Sequence, residues 1–209
     1  MSLRVAFALV AGAYLLGSIS WSVVLVRLLH GKDVRTLGSG NPGASNVLRM
    51  VGKGAGAAVL ALDAGKGVAA VLVPRSLEAP AVVVSAAAVA VVVGHVYPVF
   101  FGFRGGKGVA TAAGSLGALA PVAMALGLVL FLVIVAWTRY VSIGSMVTAA
   151  CFPLLVMLGK ALGWTEHGGR WLALASGIVA LLILVRHRDN LARLRLGREP
   201  RLDRPAGEP

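Results

Sequence analysis

The chain has 209 residues, of which 58% are hydrophobic and 13% charged, and its mean hydropathy is +0.86. That composition belongs to a polytopic membrane protein. The formal charge of +12 does not indicate a nucleic-acid partner, because the cations cluster between and after apolar stretches. A single cysteine, Cys151, excludes a disulfide framework, and the four scattered histidines form no metal-binding motif, so neither a metal nor a cofactor is expected.

The first apolar run predicts a helix over about 4–27. Ala11-Gly12-Ala13 has the look of a signal-peptide cleavage site, but the apolar run continues to Val26, which argues for a retained span. A glycine-rich segment follows, from Gly38 through Ser39, Gly40, Asn41, Pro42, Gly43, Ala44 and Ser45 to Asn46, with Arg49 just beyond. It fits G-x-G-x-x-G as a string. However, a dinucleotide site needs a preceding strand, and here a membrane helix precedes it. Two readings remain: a tight turn capping the next helix, or an anion site. In the second, Ser39, Asn41, Ser45 and Asn46 supply hydroxyl and amide groups and Arg49 supplies a guanidinium fork. Asp33 and Arg35 are spaced to pair and hold the loop.

The next predicted helix, about 54–74, carries Asp63 and Lys66 three residues apart on one face. There they can neutralise each other as a structural pair or mark an intramembrane site. A helix over about 80–101 carries His95 near its end. Arg104-Gly105-Gly106-Lys107-Gly108 then follows. It is not a Walker loop, because Gly108 stands where Ser or Thr is required. Free backbone N–H groups of Gly105 and Gly106, with Lys107 as a point charge, could still cradle a phosphate.

Residues 110–137 read as two short helices, 110–120 and 122–137, broken at Pro121, with the option that one half is re-entrant. Helices over about 143–162 and 171–186 complete the set. Ser142 and Ser145 stand at the start of the first of these and His187 and Asn190 just after the second, the latter pair on one helical face. The expected fold is all-α, with about seven membrane helices in one domain over residues 1–197 and a disordered tail over 198–209. Parity with a hairpin at Pro121 places the three basic segments on one face. Most of the Lys and Arg then share that face, which the charge bias assigns to the cytoplasm.

Taken together, these segments resemble the bacterial membrane acyl-phosphate:glycerol-3-phosphate acyltransferases, the PlsY family, over roughly residues 14–199. The matching elements are Gly17-Ser18, Asp33-x-Arg35 and Gly38 to Arg49, with Ser45 where the family has Thr. Asp63 to Gly67, Gly94 to Phe100 and Phe103 to Thr111 match as well, with Arg104 replacing a Lys. So do His187-Arg188, Asn190, Arg193, Gly197 and Glu199. The resemblance implies transfer of a fatty acyl group from acyl phosphate to the 1-hydroxyl of sn-glycerol 3-phosphate, giving lysophosphatidate and phosphate at the inner face of the cytoplasmic membrane. It further implies catalytic roles for Ser39, Arg49, Lys107, His187 and Asn190. Substrate binding is implied for Gly38, Gly40, Asn41, Ser45, Asn46, His95, Gly105, Gly106, Thr111 and Ser142. The acyl tail would lie among helices in membrane lipid, with no nucleic acid and no obligate protein partner. The alternative is a membrane transporter of a phosphorylated anion. Broken helices and the intramembrane charges fit one, but no inverted repeat is visible in the sequence.

Overall fold

The computed structural model describes residues 1–164 and 169–202, and all regular structure among them is helical. The helices are α1 (Leu3–Gly17), α2 (Trp21–His30), α3 (Ala44–Met50), α4 (Lys53–Ser76) and α5 (Ala81–Val96), then α6 (Val109–Leu119), α7 (Pro121–Thr138), α8 (Val141–Ala161), α9 (Gly169–Arg186) and α10 (Arg188–Arg195). Six stretches are long and apolar enough to cross a membrane: α1 with α2 as one, then α4, α5, α7, α8 and α9. The seventh expected helix is α6, whose 11 residues extend only about 16 Å at 1.5 Å per residue. That is about half of a bilayer core of roughly 30 Å, so α6 is the short half of the expected hairpin. Pro121 is the first residue of α7, where its missing N–H has no helical partner to lose.

The expected helix over 4–27 is interrupted. α1 ends at Gly17, Ser18 donates its hydroxyl to the Tyr14 carbonyl, and the chain restarts as α2 at Trp21. An open helix end inside a membrane needs a substitute donor. Lys66 of α4 supplies it: its ammonium donates to the Gly17 carbonyl at 2.9 Å and to the Ile19 carbonyl at 2.7 Å. The expected helix over 80–101 also stops early, at Val96, because Pro98 cannot continue the ladder; Val99–Phe101 forms a 3-10 turn instead.

Lipid tails are as apolar as the helices they surround, so the bundle gains little from burying apolar surface and holds together by close approach. The α4–α6 contact shows this. A Cβ on Gly67 would stand 2.2 Å from the Thr111 carbonyl oxygen, and one on Gly114 would stand 2.0 Å from that of Ala64. Glycine at both positions lets the two backbones touch and anchors the short α6 deep in the molecule. Around them lies a core of Val71, Val91, Val92, Val96, Leu116, Leu172 and Val179. A second cluster, Val23, Val26, Val34, Val47 and Val59, seats α2, the turn at Val34–Thr36 and α3 on α4. It holds the first glycine-rich segment against the bundle end. On α7, Leu128, Val129, Leu132, Val133 and Trp137 point outward, as a lipid-facing helix requires.

Candidate active site

The first segment is built around two polar anchors. Asp33 opens the turn at Val34–Thr36, accepting from the Arg35 N–H at 3.0 Å and from the Arg35 and Arg27 guanidinium groups, each at 2.7 Å. The Arg35 hydrogen bond, helped by Arg27, holds the Asp33 carboxyl well below the usual carboxylate range. Arg35 also donates to the Phe101 carbonyl at 3.0 Å, tying this segment to the second. Asn46, the other anchor, is buried. Its Oδ1 accepts from Ser39 N–H at 3.1 Å, and its Nδ2 donates to the Leu37 carbonyl at 2.9 Å. A Cβ on Gly38, at φ 52°, would stand 2.6 Å from that same Oδ1. Asn46 is thus engaged in shaping the loop rather than free to bind a ligand.

The second segment folds back on the end of α5. Gly105 N–H donates to the Val96 carbonyl at 3.2 Å, and Gly106 N–H to the His95 carbonyl at 3.1 Å. The expected cradle of free glycine N–H groups is therefore absent at these two residues, because their donors cap the last turn of α5. In the first segment, Ser39, Gly40, Gly43 and Asn46 also direct their N–H groups to partners within the loop. These N–H groups are therefore not available to an anion, and the side-chain cations are the charged donors at this end of the bundle.

The third segment supplies the ordering. α10 carries Asn190 and Arg193 three residues apart, and His187 caps its start. His187 Nδ1 lies 2.8 Å from the Ile183 carbonyl, so it carries the proton in the neutral ring and leaves Nε2 as an acceptor. Burial, reinforced by the Lys107 charge, pushes His187 down to about 4. Lys107 donates to Asn190 Oδ1, while Asn190 Nδ2 donates to Glu199 Oε1 at 2.5 Å. A cation on one side and a carboxylate on the other leave the amide only one orientation. Glu199 completes the group by accepting from Arg193 Nε at 2.8 Å. Burial lowers Lys107 to about 8, opposed by Glu199 and reinforced by Arg193 and Arg49. Burial likewise lowers Arg49, against the favourable charge of Glu199.

These groups stand at the junction of two chambers. One, of about 530 Å³, runs into the bundle; Ser39, Asn41, Ser45, Asn46, Arg49, Lys107, His187 and Asn190 lie at its polar end. Its apolar walls include Leu116, Met124, Phe131, Phe152, Val179 and Ile183. On α8 the lining runs from Ser142 to Phe152, a depth of about 15 Å along the helix. The other chamber, of about 560 Å³, is polar; Arg35, Arg104, Lys107, Arg186 and Arg193 line it. Ser39, Asn41, Lys107, Asn190 and Arg193 border both.

The three segments therefore meet at one end of the bundle. Ser39, Asn41, Ser45, Arg49, Lys107, Ser142, His187 and Asn190 all line the inner chamber, and Ser142 Oγ is buried there without a hydrogen-bond partner among the described residues. Gly40 and Gly105 border only the polar chamber, and His95 lies deeper, beside Asp63. Gly38 and Gly106 border neither and act through loop shape. Thr111 does not line either chamber: its side chain is fully buried and its Oγ1 has no hydrogen-bond partner among the described residues. Arg193 and Glu199, matched to the family in the sequence but not counted there among the site residues, are walls as well, Arg193 of both chambers and Glu199 of the inner one. Arg193 was findable, because it continues the three-residue spacing of His187 and Asn190 along one helical face. Residues 198–202 run back over the site, with Leu202 N–H on the Arg139 carbonyl at 2.8 Å. The remainder of the expected tail, 203–209, lies outside the described residues.

A membrane-embedded apolar chamber that ends in a cluster of cations fits an amphipathic anion, and so defines a membrane protein acting on phosphorylated lipid or its precursors. A family model described as glycerol-3-phosphate acyltransferase matches residues 7–197, and the chain belongs to that family. Among its relatives, the glycerol-3-phosphate acyltransferase of Halalkalibacterium halodurans is 41% identical over 97% of this chain and 98% of its own length. That of Anaeromyxobacter sp. strain K is 47% identical over 93% and 96%. The crystal structure of PlsY (YgiH), an integral membrane glycerol 3-phosphate acyltransferase, in its glycerol 3-phosphate form is 40% identical, with a TM-score of 0.84 over 94% of each chain. Its lysophosphatidic acid form gives 38% identity and a TM-score of 0.81, again over 94% of each.

Proposed function

We propose that the chain moves a fatty acyl group from an acyl phosphate to the 1-hydroxyl of sn-glycerol 3-phosphate, at the cytoplasmic face of a bacterial inner membrane. The glycerol-3-phosphate acyltransferase activity follows from the family; the donor and the sidedness are our reading. The observation that carries the donor assignment is the junction of the apolar and basic chambers at Lys107 and Asn190, where an acyl tail and two phosphates can meet. Bringing two phosphates together is opposed by their repulsion, and Arg49, Lys107 and Arg193 offset it. Neutral His187 accepts from the attacking hydroxyl through Nε2, and Ser142 Oγ is free to bond the glycerol backbone. The hydroxyl oxygen attacks the acyl carbonyl carbon, the carbonyl carbon–oxygen bond to phosphate breaks, and phosphate departs with the proton. With its ring held at about 4, His187 is neutral at physiological pH, and the part we assign it is orientation of the hydroxyl. The mixed anhydride already has a good leaving group, so no acyl-enzyme stage is required. Cys151 is half-buried in α8, away from the cation cluster, and is a poor nucleophile.

The test is turnover by purified protein with glycerol 3-phosphate and either palmitoyl phosphate or palmitoyl-CoA. Lysophosphatidate and inorganic phosphate should form one for one from palmitoyl phosphate. Efficient use of palmitoyl-CoA with none of palmitoyl phosphate would overturn the donor assignment.

A further inference from the structure

Three ionisable side chains lie deep in the bundle, two of them, Asp63 and His95, on the wall of the inner chamber. Asp63, Lys66 and His95 are respectively 2%, 4% and 6% exposed. Asp63 Oδ1 stands 3.0 Å from Lys66 Nζ and 3.5 Å from His95 Nδ1, both outside hydrogen-bond geometry. Lys66 directs its hydrogen bonds to the carbonyls of Gly17 and Ile19 at the α1–α2 break. The group therefore joins α1, α2, α4 and α5 at one point. On its far side it reaches the basic loop. The Gly106 backbone rests on the His95 ring so closely that a Cβ there would stand 2.3 Å from Nε2, and Gly106 N–H bonds the His95 carbonyl. The next residue is Lys107.

A buried ion pair is a weak device for stability, because desolvation cancels most of its attraction. Its use is to specify position. The path here is one of neighbouring contacts: Lys66 is hydrogen-bonded to the helix break, Asp63 lies beside both Lys66 and the His95 ring, and Gly106, the residue before Lys107, rests on that ring. We infer that Asp63 and Lys66 are positioning residues that act through His95 to hold the Lys107 ammonium at the junction of the two chambers. Lys66 lies off the inner chamber and Asp63 borders it; the role assigned to both is the hold on Lys107. The inference rests on the assignment of Lys107 to substrate phosphate.

A double-mutant cycle in kcat/KM tests it. Asp63→Asn is combined with Lys66→Met, so that no lone charge is left buried, and the pair is measured with Lys107 intact and with Lys107→Ala. His95→Gln, which leaves the ion pair alone, is put through the same cycle in case the first variant does not fold; thermal unfolding in detergent establishes folding. With Lys107 intact, each variant should lose about 10-fold or more in kcat/KM. In the Lys107→Ala background the further loss should fall to about 2-fold or less. Equal losses in both backgrounds, or no loss in either, would overturn the positioning role. Full activity of Lys107→Ala alone would instead overturn the assignment of Lys107, and the inference with it, so the two failures are distinct.

Discussion

At the scale of single residues, the proposed mechanism relies on a few charged side chains held in unusual electrostatic surroundings. Arg49 is half-buried at the chamber mouth, and a hydrogen bond to a charged group contributes about 1.5–3 kcal/mol. Arg49→Ala should therefore lower kcat/KM by about 10- to 100-fold, while Arg4→Ala at the start of α1 should change it little. Steady-state kinetics on folded protein checks both, and unchanged kinetics in Arg49→Ala would remove that residue from the site. Lys107 is lowered to about 8 by burial, so its proton is present below that pH and lost above it. If the ammonium binds phosphate, kcat/KM should fall as pH rises through about 8. Lys107→Arg, whose charge persists, should shift that limb beyond the range. His187, lowered to about 4, is neutral across pH 6–8 and should add no acid limb there. A limb near pH 8 that persists in Lys107→Arg would assign it elsewhere. Much of this site was legible in advance. Arg49, Lys107, His187 and Asn190 are polar groups in glycine-rich or helix-end contexts, where a membrane protein has little use for them except chemistry. The glycine N–H groups were not legible in the same way. The availability of Gly105 and Gly106 depends on the carbonyls at the end of α5, which no local pattern reveals. Thr111 misled for a related reason: its position in a matching motif says nothing about which side of α6 faces α4.

At the scale of elements, the chemistry depends on how closely helices approach. Gly67 and Gly114 permit backbone contact between α4 and α6, whereas Gly65, two residues from Asp63 on α4, has open space beside it. Gly114→Ala should force the two helices apart and cost about 1–3 kcal/mol as an overpacked contact. Gly65→Ala should be neutral or slightly stabilising, since alanine favours the helix. Thermal unfolding in detergent compares them, and equal effects would contradict the close-approach account. The hairpin at Pro121 was visible because proline is favoured at the first position of a helix, although Pro74 and Pro153 lie inside α4 and α8 without ending them. The α1–α2 break was not: Ser18 and Ser20 are unremarkable locally, and the donor that makes the break tolerable comes from Lys66, 47 residues beyond Ile19. The eight-residue α10 was also hidden, because its polar, arginine-rich sequence lacks the apolar period that marks a helix.

At the scale of the whole molecule, three segments distant in the chain converge on one end of the bundle, and one chamber runs from that end to apolar depth. The proposed function puts that end in the cytoplasm, on the strength of the charge bias. On a Cys151→Ser background, cysteines at positions 53 and 188 should resist impermeant thiol reagent in intact cells and react after permeabilisation; external labelling at either would reverse the orientation. The central claim is that both substrates occupy the joined chambers together and the acyl group passes directly between them. Initial rates measured while palmitoyl phosphate and glycerol 3-phosphate are varied against each other test this most directly. Direct transfer predicts intersecting double-reciprocal lines. Parallel lines, with an acyl group recoverable on a side chain of the protein, would contradict it.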